Sequence, residues 1–512
     1  MLKETYYTAP TDLDQLVFGK LISADHYLRQ VKSVIDFERY RNELASCYSA
    51  EEGRPADDPV LMVKLEFLQF QYDLSDREVI AEAQVNVAFR YFLDLSIECT
   101  LPHPSLLSVF RRRLGSEKHE ALFQALLRQA RERGLVKDRL RLKDATHVIA
   151  NIAIPSTIRL VAEARDRLLA AAELLDPERV AREHGQADRL RQATATLSDE
   201  ERLLQRVQHL RQIVEWADRL TTAQAAPSSS PTLTAALHLA HKVLADREQP
   251  HPRDRLLSLQ DPDARIGKHG SYFNGYLLDM AMDADSELIT AIDILPANAD
   301  EAANVQALLT REESAQDKTV QAFSIDGIGF RGELLRQWTD PNGLNLEVFV
   351  PPSPLRVREG YFMPDDFAVE ASGERLICPN EATSTRRVRT HCHSGWDYQF
   401  ARSVCAECPL QKRCLPRLPQ RTGRTVVKND YEAEYAAARA KALSPEYVAV
   451  RRQHPRIERK LGEMVRHHAL RRARYWRRVR VQIQALLTAL VVNIKRIVHL
   501  IMTRPPQAQC VT

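Results

Sequence analysis

Charge of one sign is missing from this sequence. Over 512 residues, 72 Lys or Arg face 68 Asp or Glu, a formal net charge of +4. The total alone announces no polyanionic partner. Cysteine is scarce, at eight residues, and Met1 to Leu16 lacks the basic-then-apolar pattern of a secretion signal. A cytoplasmic, reducing setting is therefore expected, with cysteines as metal ligands or plain core residues and not as disulfides. A long apolar run is absent too. The most apolar stretch, 485–502, contains Asn493, Lys495, Arg496 and His499, whereas a membrane span needs ~20 mostly apolar residues. It reads as an amphipathic or buried helix, and no membrane partner is expected. What remains is the composition of an ordinary folded protein, long enough for two to four domains.

Periodicity divides the chain. Residues 1–130 read as a helical N-terminal domain: apolar positions recur at helical spacing from Pro59 to Ser75, after the turn signal Gly53–Asp58. Ser75 and Glu78 have the spacing of a capping box. A short helix from Ser105 should end at Gly115 and carries Arg111, Arg112 and Arg113 near its end. These arginines suit DNA phosphates, and equally a helix C-terminus for dipole reasons. From Arg139 the period becomes two, with Leu140, Leu142, Asp144, Thr146 and Val148 on one parity and Arg139, Arg141 and Lys143 on the other. Residues 156–250 read as a charged helical hairpin inserted in the host domain. Leu203, Val207, Leu210, Val214 and Ala217 form a short stripe, and Pro227–Pro231 a linker. Strands return as a hairpin over 275–294, then at Thr319–Ile325 and Leu344–Val350, with a helix from Glu301 to Leu309 between. Residues 351–430 form a Cys-rich insert, and the chain from Ser444 onward reads as helical and basic. The fold class is α/β, a mixed sheet with helices and inserted segments behind an all-helical N-terminal domain.

Three carboxylates stand out by position. Asp144 lies on the apolar parity of its strand, where a carboxylate is costly unless paired or bound to metal. Asp326 closes a strand before Gly327 and Gly329, where backbone can approach a ligand closely. Glu458 follows Pro455, a residue suited to a helix start, and Gly462 one turn on leaves its face uncrowded. Three such acids can hold two divalent cations ~3.5–4 Å apart around the attacking and leaving oxygens of an in-line displacement. Mg²⁺ (or Mn²⁺) suits such oxygen ligands.

Several segments resemble the RNase H-like DDE transposases of bacterial insertion sequences, in the branch with a helical N-terminal domain and a cysteine-bearing insert. They are 53–79, 87–95, 142–151, 261–283, 292–301, 324–330 and 454–479, in family order. The first aspartate of that family falls in Asp-x-Thr, here Asp144-Ala-Thr146. The second precedes a Gly-aromatic turn, matched by Asp326, and the glutamate lies in Pro-Arg-x-Glu-Arg, matched by Glu458. The chain departs from the wider tyrosine–arginine–glutamate–lysine signature, with His454 for its arginine and Val465 for its lysine. Gly-Ile-Gly-Phe330 also stands where relatives show a small or basic residue and then Gly-Tyr. The resemblance implies an RNase H-like catalytic domain over 135–350 and 440–505, with two Mg²⁺ or Mn²⁺ ions on Asp144, Asp326 and Glu458. It also implies recognition of terminal inverted repeats, cleavage of element ends, strand transfer into target DNA, and a homo-oligomer on DNA. The alternatives are a nuclease of the same fold without strand transfer, or an inactive, zinc-stapled DNA-binding derivative.

Cysteine and charge complete the reading. Cys405-x-x-Cys408, with Cys378 and Cys414, suits a closed tetrahedral Zn²⁺ site, and ordinary core thiols are the other reading. His391, Cys392 and His393 are spare ligands, while Cys47, Cys99 and Cys510 are isolated. From Arg451 to Arg480 twelve Lys or Arg face only Glu458 and Glu463. Arg471, Arg472, Arg474, Arg477 and Arg478, with Tyr475 and Trp476 interleaved, form a candidate DNA contact by counterion release and base stacking.

Overall fold

The computed structural model describes residues 10–49, 56–223, 231–354, 359–390, 394–417, 419 and 421–503. Outside them lie residues 53–55 of the turn signal, 227–230 of the linker, His391, Cys392, His393 and Cys510. In chain order come α1 (Asp12–Leu21), α2 (Tyr27–Val34), α3 (Arg39–Ala45), α4 (Pro59–Gln71), α5 (Asp76–Val85), α6 (Val87–Phe92), α7 (Ser105–Glu132) and β1 (Leu140–Ile149). Helices α8 (Thr157–Ala172), α9 (Pro177–Ala193), α10 (Asp199–Ala223) and α11 (Pro231–Glu248) follow, then β2 (Arg265–His269), β3 (Ser271–Asp283) and β4 (Ile289–Pro296). Next are α12 (Val305–Gln316), β5 (Ala322–Ser324), α13 (Gly332–Thr339) and β6 (Glu347–Phe349). The cysteine-bearing stretch holds β7 (Ala368–Val369), β8 (Leu376–Ile377), β9 (Arg386–Thr390), β10 (Gly395–Gln399), α14 (Arg402–Ala406), α15 (Gln411–Cys414) and β11 (Thr425–Asn429). The end is α16 (Glu432–Ala442), α17 (Pro445–Arg451), α18 (Pro455–His467) and α19 (Arg478–Met502). The protein is mixed α/β with a helical N-terminal region.

Two compact units result. The first comprises Met1–Lys137, Ala145–Glu301 and Glu458–Thr512, and the second Asp138–Asp144 and Ala302–Ile457. In the first unit, local chemistry starts and stops the helices as the sequence implies. Asp58 caps α4 by accepting from the Val60 N–H. Ser75 and Glu78 exchange side-chain-to-backbone bonds as a capping box. Gly115, at φ +62°, breaks the helical path of α7 where a stop was expected, and a second helical segment runs on to Glu132.

The organising element of this unit is α19. It packs on α7, α4, α2 and β4, and it is apolar on nearly every face, as a helix inside a core must be. It is also the one described helix long and apolar enough to cross a membrane, but 67% of its most apolar window is buried inside the protein. Its few polar side chains serve the neighbouring backbone. Strand β4 pairs only with β3, and its free edge is met by amides of α19. Asn493 accepts from the Ile289 N–H and donates to the Ile289 carbonyl, both at 2.8 Å. Gln482 accepts from the Ile294 N–H at 2.7 Å and donates to the Ile292 carbonyl at 3.0 Å. The helix thus stands in for a further strand.

Strands β2, β3 and β4 form an antiparallel meander, with β1 beside β3. Gly275 permits the close approach of β3 to the end of β1: at φ +155° its backbone suits few L residues, and a Cβ there would meet the Val148 carbonyl oxygen at 2.0 Å. Where a helical hairpin was expected, four helices stand, α8 to α11, around their own apolar core. The stripe of Leu203, Val207, Leu210, Val214 and Ala217 is part of that core and not of a coiled coil.

In the second unit the first half of β1 pairs in parallel with β5, and β5 in parallel with β6. Trp338 of α13 packs edge-on against Phe323 at 5.0 Å between ring centres. The parity of β1 suggested one polar face, yet Arg141 and Lys143 are as buried as Leu140 and Leu142. Arg141 is matched within the unit by Glu312 of α12, with nitrogen-to-oxygen distances of 2.6 to 3.1 Å. Such a pair tolerates burial because charge and hydrogen bonds are satisfied together. Strands β9, β10 and β11 make a separate antiparallel sheet over the small core of Phe367, Leu376, Tyr398, Phe400 and Val426.

Replacing Asn493 by the similarly sized Leu strips partners from two buried backbone groups of Ile289, each worth about 1–3 kcal/mol. Asn493→Leu is expected to lower unfolding stability by about 2–4 kcal/mol, read from urea denaturation. An unchanged midpoint would refute the edge-capping role.

Candidate active site

Asp144 lies within β1, and Asp326 follows the end of the neighbouring β5. In the parallel register of β1 and β5, Leu142 stands opposite Ser324. Asp144 lies two residues further along β1, and Asp326 two residues beyond Ser324, the last residue of β5. Both are half-buried. Asp326 caps a single 3₁₀ turn, Gly327–Gly329, by accepting from the Ile328 N–H at 3.2 Å. Its other carboxylate oxygen has no partner among the described residues.

The approach to Asp326 is clamped from behind. Arg451 donates to the Ser324 hydroxyl at 3.0 Å and to the Ile325 carbonyl at 2.9 Å. His454 lies 3.1 Å from the same hydroxyl through Nδ1. Burial, with the Arg451 charge behind it, pushes the His454 pKa down to about 4. A neutral imidazole can therefore accept from Ser324 while Ser324 accepts from Arg451. Sequence reading missed this clamp, since His454 stood only as a departure from a signature and Arg451 as one cation among twelve. The Arg-x-x-His spacing just before Pro455 was the available signal.

Glu458 occupies the first turn of α18 and is exposed. It belongs to the first unit, whereas Asp144 and Asp326 belong to the second. With Arg459, Gly462, Glu463, Arg466, His467 and Lys495 it lines a shallow groove of about 720 Å³. Gly462 leaves open space, as expected. Among the described residues no three His, Cys, Asp or Glu stand in an arrangement able to hold a metal ion. The chemistry of half-buried Asp144 and Asp326 suits a hard cation, since Mg²⁺ is held by as few as one or two carboxylates and keeps its waters.

The basic candidates divide into scaffold and surface. Arg111 is a correction: only 6% exposed, it is engaged with Glu66, Gln69 and Asp76 inside the helical region, with Tyr475 stacked nearby. Arg112 and Arg113 are exposed, with Arg113 over the Tyr48 ring. The basic run is corrected too, because 468–477 is not helical. Arg471 donates to the His147 carbonyl at 2.7 Å, and its own backbone pairs with Ile149 at the end of β1. Arg474 binds the Leu74 carbonyl and Asp73 and lies over Phe70. Arg477 takes a left-handed backbone, φ +79°, while its N–H donates to Asp261. Arg472, Trp476 and Arg478 remain exposed. Trp476 is 44% accessible with its indole N–H on the Asn151 carbonyl.

Cys378, Cys405, Cys408 and Cys414 line one cavity of about 30 Å³, and all four are free thiols. The Arg424 N–H donates to the Cys405 sulfur at 3.4 Å. Burial pushes the Cys414 thiol pKa up; Arg424 opposes this, and the other three cysteines add to it, so the four sulfurs are within electrostatic reach.

Two family models match the chain: Transposase domain (DUF772) over residues 16–113 and Transposase DDE domain over residues 377–498. No curated protein and no solved structure matches it. Glu458 lies within the second match, Asp144 and Asp326 between the two, and together the matches support a DDE transposase of an insertion sequence.

Proposed function

We propose that this transposase cuts the ends of its element and joins them to target DNA, using an RNase H-like catalytic domain with Asp144, Asp326 and Glu458 as its acidic residues. The observation that supports the reading is the register of β1 and β5: Asp144 and Asp326, 182 positions apart in the chain, each lie two residues past its last pair, Leu142 and Ser324. Carboxylates at and just beyond adjacent parallel strands can offer acceptor oxygens to the same hard divalent cations. Asp144 and Asp326 would hold Mg²⁺ or Mn²⁺, and the family pattern assigns the third carboxylate to Glu458. Bound there, two ions supply the positive charge that stabilises the attacking and leaving oxygens of an in-line displacement.

The chain's own residues set the stage for that chemistry. Arg451 and His454 fix the Ser324–Asp326 segment so that the Asp326 carboxylate does not swing. Exposed Arg112, Arg113, Arg472 and Arg478 meet phosphates, and Trp476 offers a face to an unpaired base. Water first attacks the phosphodiester at the element end, breaking the P–O3′ bond and freeing a 3′-OH. That hydroxyl then attacks a target phosphodiester, forming the new strand junction and releasing the target's own 3′-OH. Two ends acted on together call for a homo-oligomer on terminal inverted repeats, in the cytoplasmic compartment that holds the DNA.

Incubation of the purified chain with duplexes of its flanking repeats, a target plasmid and Mg²⁺ tests this. Wild type should give cleaved ends and joined product. Asp144→Asn, Asp326→Asn and Glu458→Gln should each lose on the order of 10³-fold or more in rate, since several kcal/mol of charge stabilisation depends on the ions. Cleavage without joining would mark a nuclease, and binding without cleavage an inactive DNA-binding derivative. Equal cleavage by wild type and variants would remove the three acids from the mechanism.

The four cysteines would take a structural Zn²⁺, because four thiolates suit its tetrahedral preference and they already share one small cavity. As placed, no three converge on an ion, so binding requires side-chain rotation toward the cavity. Elemental analysis should find one zinc per chain, reduced in Cys405→Ser and Cys408→Ser together with thermal stability. A zinc-free wild type of undiminished stability would leave the cysteines as core thiols.

A further inference from the structure

Charge along the cysteine-bearing stretch is sharply divided. Residues 359–381 carry six acids against the single base Arg375. Residues 386–428 carry ten Lys or Arg against two acids, Asp397 and Glu407. A balanced surface would pair these groups, but it does not. Arg386, Arg402, Lys412, Arg413, Arg417 and Arg421 are all exposed, and among the described residues none of them forms an ion pair. Exposed cations left unneutralised repel one another, and a polyanion relieves that repulsion.

The scaffold beneath them is ordered by cations of a different kind. In the register of the small sheet, Arg389, Trp396 and Lys428 lie abreast on β9, β10 and β11. The Arg387 guanidinium stacks 3.6 Å above the Trp396 ring, and Arg389 lies 5.2 Å from it while holding Asp430 with two hydrogen bonds. Arg402 opens α14, and Lys412 and Arg413 lie in α15, the two short helices that carry Cys405 and Cys414. Arg386 is thus carried by a sheet edge and Arg402, Lys412 and Arg413 by the cysteine-bearing helices, so these four are already in place when a ligand arrives.

We propose that the basic half of this stretch, 386–428, is a DNA-backbone contact surface in its own right, separate from the acidic residues and from the basic run at 471–478. It would read phosphates and not bases, because its free groups are long, exposed cations. The proposal rests on the reading of the chain as a DNA-processing enzyme and adds where a large part of its sequence-independent affinity resides.

The test is the salt dependence of binding of the full-length chain to a fluorescent 30-base-pair duplex of arbitrary sequence, followed by anisotropy. The comparison is with a variant carrying Arg402→Gln, Lys412→Gln, Arg417→Gln and Arg421→Gln. Each phosphate contact contributes ~0.9 to the slope of log K against log salt. The variant should therefore show a slope shallower by about 2–4, with unchanged circular dichroism. Its cleavage of repeat ends should match wild type at low salt and saturating protein, whereas Asp326→Asn should lose cleavage and keep the slope. A wild type that binds with a steep slope and a variant that matches it would overturn the proposal alone. A wild type with no affinity for DNA would overturn both it and the functional reading beneath it.

Discussion

The first unit depends on one buried helix. α19 can lie between the N-terminal helices and the sheet because almost every face is apolar, and it can lie against β4 because it carries amides where that strand exposes its backbone. An open strand edge inside a core would leave N–H and C=O groups unpaired at a cost no apolar contact recovers. Gln482 and Asn493 meet that need from one side of the helix. Gln484 serves the basic segment before it, accepting from the Arg474 N–H and donating to the Arg472 carbonyl. The few amides of α19, at 482, 484 and 493, thus suit an otherwise apolar helix to a place in the core.

A second constraint acts in the other unit. The register that leads toward Asp144 and Asp326 requires β1 to enter the sheet with Arg141 buried opposite Phe323, and Glu312 makes that possible. A buried ion pair adds little net stability, but losing one partner strands the other. It therefore discriminates against alternative registers, because a one-residue slip would point Arg141 away from α12. The clamp of Arg451 and His454 on Ser324 works in the same sense at the end of β5. Position near the acids is enforced by polar contacts that leave little freedom, and these contacts come from segments more than 100 residues away.

Cations in this protein serve two ends, and a count does not tell them apart. Arg111, Arg471 and Arg474 have their guanidinium groups on carboxylates and carbonyls of the scaffold. Arg472 and Arg478 in the same run do not, and among the six exposed cations of the cysteine-bearing stretch only Arg402 does, donating to the Pro419 carbonyl. A guanidinium offers five donors in a fixed fork, and wherever carbonyls converge it is drawn into the structure. Only those beyond such reach stay available for phosphate.

Local events were legible from the chain alone: the Ser75–Glu78 capping box, the interruption at Gly115, the hairpin of β3 and β4, and the strands leading to Asp144 and Asp326. Each is decided by neighbours within a few residues, so spacing and residue type suffice. Likeness to a transposase family was legible for the same reason, as short motifs in a fixed order. What the tertiary structure decided was the fate of each charge and the company of each helix. It buried Arg111, Arg141 and Lys143, drew 468–477 out of helix so that Arg471 and Ala473 bond Ile149 at the end of β1, and built four helices where a hairpin was expected. Burial and pairing depend on partners distant in sequence, such as Glu312 for Arg141 or Leu74 for Arg474, and no local pattern encodes those meetings.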